Sequence, residues 1–93
     1  MIVRFAIDPA DAGRFEYSVS YESESLFADA GLASIEDCIV AATEGLGQDA
    51  VAAEIAYRGI VSGTYPLASL ALMSAQIAEH ASNTTQAIEE LLR

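Results

Sequence analysis

A stripe of residues near the C-terminus limits what this chain can become. Leu67, Leu70, Met73, Ile77, Ala81, Thr84, Ile88 and Leu91 recur at steps of three and four between Tyr65 and Arg93, with Ser74, Gln76, Glu79 and Glu89 off the stripe. In a helix those positions share one face. Such a helix has to lay its stripe on something, either the upstream chain or a second copy of itself. Pro66 suits its first turn, and Asn83-Thr84-Thr85-Gln86 reads as a second capping box, which predicts a break or kink near Ser82.

Upstream, Val3, Phe5 and Ile7 alternate with Arg4 and Ala6, the period-two signature of a half-buried strand. Asp8 to Gly13 collects turn formers. Phe15, Tyr17, Val19 and Tyr21 then alternate with Glu16, Ser18, Ser20 and Glu22, so the two runs predict an antiparallel hairpin with an aromatic inner face. Leu26-Phe27-Ala28 reads as a short edge strand broken by Gly31. Ser34 followed by Asp37 predicts a capped helix over approximately Ile35 to Glu44, with Ile35, Cys38, Ile39, Ala42 and Leu46 on one face and Gly45 and Gly47 as the stop. Residues 50–62 carry two patterns. The alanines, Asp49 and a Glu54/Arg58 pair favour a short helix, while Ile55, Tyr57 and Val61 favour a strand bent or bulged at Gly59. The strand is preferred, because a hairpin needs further strands to be stable.

The fold expected is therefore α+β: a small antiparallel sheet, the N-terminal hairpin plus one or two further strands, with two or three helices packed on one face. The 93 residues suffice for one domain over 1–93, in which 65–93 forms a long amphipathic helix or helix pair.

Fourteen acidic residues stand against four arginines, for a net charge of −10. Arg14 and Arg58 bracket a stretch with no basic residue, in which Glu16, Glu22, Glu24, Asp29, Glu36, Asp37, Glu44, Asp49 and Glu54 all fall. Free nucleic acid and anionic membrane are repelled by such a chain, and a basic protein is attracted. The same charge also serves simply to disperse a chain that is 53% hydrophobic. Cys38 is the only cysteine, which excludes an internal disulfide. With no secretory signal pattern at Met1-Ile2-Val3-Arg4 and no run of about 20 apolar residues, the cytoplasm is the expected location.

Motifs that would carry chemistry are sparse. His80 and Cys38 fall on different expected helices, without metal-ligand spacing or a third orienting residue, and Cys38 reads as a small core hydrophobe. Gly59-Ile60-Val61-Ser62-Gly63-Thr64 lacks the lysine and the spacing of a phosphate loop. The pairs Glu22/Glu24, Glu36/Asp37 and Glu89/Glu90 read first as solvated faces. No cofactor or metal is expected, and no catalytic residue stands out.

The order of a hairpin with an Asp-rich, Gly-containing turn (Asp8 to Arg14), an aromatic strand (Phe15 to Tyr21), a segment ending in Gly31, and a helix opening Ser34-Ile35-Glu36-Asp37-Cys38 resembles the N-terminal half of the HicB-like antitoxins, over about Met1 to Leu46. That resemblance implies an acidic fold that covers a basic RNA-cleaving toxin. The expected function is thus a non-enzymatic, antitoxin-like module that binds a basic protein through Glu22, Glu24, Asp29, Glu36 and Asp37. It is expected to be a homodimer through Ile77, Ala81, Ile88 and Leu91. Two alternatives stand beside it: an acidic secretion-chaperone-like dimer that clamps an extended segment, and a small hydrolase using the clustered carboxylates.

Overall fold

A computed structural model describes all of residues 1–93. Its strands are β1 (Ile2–Pro9), β2 (Phe15–Tyr21), β3 (Glu24–Leu32), β4 (Ala52–Tyr57) and β5 (Ile60–Pro66), and its helices α1 (Ile35–Glu44), α2 (Leu67–Leu72) and α3 (Ser74–Leu91). The strands form one sheet in the order β3-β2-β1-β4-β5.

The sheet corrects the expected architecture. It has five strands and is mixed, because β4 runs parallel to β1, with Ile2 opposite Ala52 and Ile7 opposite Tyr57. The remaining pairs are antiparallel. The physical reason lies in α1, which leaves the far side of β3 and carries the chain back over the sheet, so that β4 begins at the same end as β1. There the Met1 amino group donates to the Asp49 carbonyl at 2.6 Å, and the Val51 amide donates to the Met1 carbonyl at 2.9 Å. A parallel neighbour requires a crossover of this kind.

Alternation sets the two faces. Val3, Phe5 and Ile7 of β1, Tyr17 and Val19 of β2, and Ala53 and Ile55 of β4 point to the helices and are buried with Cys38, Ile39 and Ala42 of α1, Leu70 of α2, and Ile77, Ala78 and Ala81 of α3. The opposite face has no layer over it. The inward set of the hairpin is the one its alternation predicted.

Residues 50–62 are neither a helix nor one bent strand. Arg58 and Gly59 both take positive φ, 53° and 81°, and form the two-residue turn of a second hairpin, β4–β5. The irregularity in that pair falls at Ser62, whose hydroxyl lies 3.5 Å from the Ile55 carbonyl. Gly31 does not end β3 either. With φ at 81° it supplies the extra residue of a bulge between the Phe15/Leu32 and Glu16/Ala30 pairs, and the strand runs on to nine residues.

Ser34 caps α1 as its spacing predicted, its Oγ accepting from the Asp37 amide at 3.0 Å. The C-terminal segment breaks at Met73 and not near Ser82. No glycine or proline acts there. Tertiary contacts hold the break: Leu70 is fully buried on one side of it, and on the other Ser74 donates to Glu36 of α1 at 3.2 Å. Asn83 to Gln86 lies inside α3, where Thr85 is buried and donates to the Tyr57 carbonyl at 3.0 Å. The expected second cap is therefore a bolt between α3 and β4.

Candidate binding surface

The β2–β3 turn positions the first two acidic residues. Tyr21 pairs with Glu24, leaving Glu22 and Ser23 as a two-residue turn at φ 50° and 70°. An extra residue, Leu26, then enters β3 between the Ser20/Ser25 and Val19/Phe27 pairs. Because of that bulge Glu24, Phe27 and Asp29 share the helix side of the sheet, where Tyr17 stands opposite Asp29. Asp37, in the first turn of α1, bears on the same region. Burial pushes the Cys38 thiol up to about 11, and the Asp37 and Asp29 carboxylates add to it. The Tyr17 hydroxyl is likewise raised, first by burial and then by Asp29 and Cys38. A thiol held this way is a core residue and a poor nucleophile.

Glu22, Glu24, Asp29 and Asp37 are thus exposed along the β3 side of the molecule. Glu36 differs from the other expected contacts, since its carboxylate accepts from the buried Ser74 and holds α1 to α3. No basic residue forms an ion pair with Glu22, Glu24, Asp29 or Asp37. Arg4, which lines a second cavity together with Glu22 and Ser23, is engaged with Glu54 at 2.6 Å, Arg58 is engaged with Glu89 at 3.3 Å, and Arg14, in the β1–β2 turn, forms no ion pair.

On the open face, Ala6, Ser18, Ala28 and Ala30 floor a trough of about 450 Å³. Asp8 and Glu16 close one end of it and are direct cross-strand neighbours. Sequence reasoning missed this trough. Its signal was present, because in Arg4-Phe5-Ala6-Ile7-Asp8 and Glu16-Tyr17-Ser18-Val19 the outward positions are small or charged.

The residues expected at a dimer interface divide. Ile77 and Ala81 are 3% and 0% exposed and already packed in the core, so they offer nothing to a second copy. Ile88 is half-buried, and Leu91 is 83% exposed with Leu92 beside it. His80 is exposed on α3, 3.4 Å from Thr84, whereas Cys38 lies fully buried; the two share no site. No group of three or more His, Cys, Asp or Glu side chains is placed to hold a metal ion. No helix is long and apolar enough to cross a membrane.

No protein-family model, no curated protein and no solved structure matches this chain.

Proposed function

We propose that this chain is a non-enzymatic binding module that covers a basic protein partner, in the manner the antitoxin resemblance implies. The observation that carries the reading is the acidic rim of Glu22, Glu24, Asp29 and Asp37, exposed on one side of the molecule and without an ion pair, while Arg4 and Arg58 are engaged with Glu54 and Glu89. Over Met1 to Leu46 the hairpin, the segment ending at Gly31 and the Ser34-capped helix follow in the order that the resemblance names. Carboxylates left without counter-charge cost self-repulsion, and a cationic partner removes that cost. Self-association is confined in this reading to the Ile88–Leu92 end of α3. That end is far smaller than the ~800 Å² per partner of a standard interface, so the dimer is weak.

The test is capture from the native lysate with the wild-type chain and with a Glu24→Gln, Asp29→Asn, Asp37→Asn variant, eluted by a salt step. A basic protein released at moderate salt and lost with the variant is expected. A partner retained at high salt by both proteins favours the chaperone-like alternative and overturns this one.

A further inference from the structure

The two edges of the sheet are treated differently. At one edge, β5 packs on α3 and ends in Pro66 as the chain turns into α2. At the other, β3 is the outermost strand and extends for nine residues with no proline and no lysine. The helix α1 touches it, bulges at Leu26 and Gly31 interrupt it, and between them residues 27–30 pair regularly with β2 and leave their outer side without a strand. A row of backbone donors and acceptors left open in this way is a template for another strand, and edges not meant for pairing are normally blocked. The carboxylates lie on both sides of this edge. Glu24 and Asp29 project on the helix side, with Asp37 nearby, and the Ala28 and Ala30 side chains on the open side are too short to hinder a long side chain reaching inward. A strand added beyond β3 would lie two strand spacings, about 10 Å, from β2. An arginine on it can cross the alanine floor of the trough to Glu16, and Asp8, one strand farther on, adds its field without being reached.

We propose that β3 is a docking edge, at which an extended basic segment of another protein adds as a further strand. Its cationic side chains alternate between Glu24, Asp29 and Asp37 on the helix side and Glu16 across the trough, where Asp8 deepens the negative field. Backbone pairing gives the segment its register, and the two acidic sets select its charge. A second copy of this chain is the wrong occupant, because it would bring the same carboxylates against themselves and a net charge of −10 against −10. The proposal rests on the partner being basic, as read above, and adds how that partner is held.

The probe is a synthetic peptide of repeating Arg-Arg-Val-Val, blocked at both ends, together with two versions N-methylated at alternate residues, one in each phase. In a strand addition only one phase of amides faces the edge. One methylated peptide should therefore bind about tenfold or more weakly, at least one hydrogen bond being lost, and the other like the parent. Amide hydrogen exchange over Glu24–Leu32 should slow when the parent peptide is bound. An Asp8→Asn, Glu16→Gln variant should bind several-fold more weakly while keeping its fold. If both methylated peptides bind like the parent, or exchange slows only on α1, the docking edge is overturned and the basic-partner reading survives. If the parent peptide does not bind at low salt, both are overturned.

Discussion

Ser23 holds a backbone conformation that its side chain disfavours. Its φ of 70° follows Glu22 at 50°, so both residues of the β2–β3 turn sit in the left-handed region that asparagine and glycine occupy at low cost. Ser23→Gly should raise stability by about 1 kcal/mol, read from the urea midpoint, after the extra freedom of glycine in the unfolded chain is offset. An unchanged or lower midpoint would show that the turn is not strained. Gly45 illustrates the other use of glycine. Its φ of −81° is ordinary, but an added Cβ would meet the Phe27 ring at 2.8 Å, so the residue serves close approach and not the left-handed stop its position at the helix end suggested. Sequence could place that glycine but not its reason, because Phe27 is remote in the chain. Cys38 gives a pH test. Its thiol stays protonated in the folded chain up to about 11, whereas the unfolded chain releases the proton near 9, so the native state binds more protons in that window and stability falls as pH rises through it. The loss should reach about 2 kcal/mol, and in Cys38→Ala the fall should begin only near pH 10, where tyrosine in the unfolded chain starts to release a proton that Tyr17 still holds in the folded one. A wild type whose stability is flat from pH 9 to 10 would contradict this.

Among the elements, those with local signals were legible. The N-terminal hairpin follows from alternation, and α1 from Ser34 and Asp37. The parallel pairing of β4 was not, because period two reads alike in parallel and antiparallel strands and the partner lies fifty residues away, Ile2 against Ala52. The second hairpin hid for a related reason. Its turn is Arg58-Gly59, without the asparagine or aspartate that marks such turns, and the alanines around it weigh toward helix. Of the candidate surface, the acidic rim was visible as charge, whereas the trough and the open edge exist only once β3 stands beside β2. Thr85 shows how a polar residue can specify packing between elements. Its hydroxyl is buried against the Tyr57 carbonyl, the point where α3 is fixed to β4. Thr85→Val keeps the shape but removes the donor, and should cost about 1–3 kcal/mol in urea unfolding, while Thr84→Val, one residue away and partly exposed, should cost little. Equal costs at the two positions would refute the bolt.

For the molecule as a whole, charge has opposite consequences for folding and for binding. Fourteen carboxylate residues and four arginines share a body with a radius of gyration of 12.4 Å, and two ion pairs relieve only part of the crowding. Asp8 and Glu16 are set directly opposite each other on the sheet, an arrangement that destabilises a strand pair. The remaining repulsion acts over distances comparable with the Debye length, about 10 Å at 0.1 M salt, so added salt should stabilise the fold. If screening returns about 1 kcal/mol, the Tm of a chain this size should rise by about 4–8 °C between low and moderate sodium chloride. The same addition should weaken capture of a basic peptide, because that attraction is screened too. Asp8→Asn separates the two effects within one protein. It removes the cross-strand repulsion, so the Tm at low salt should rise, and it removes a carboxylate from the trough, so peptide affinity should fall. A variant that gains stability with no loss of affinity would leave the open face outside the binding surface, and one that loses stability would mean that Asp8 and Glu16 do not repel. The paired signs, more stable and less adhesive, are what a surface kept acidic for a partner requires.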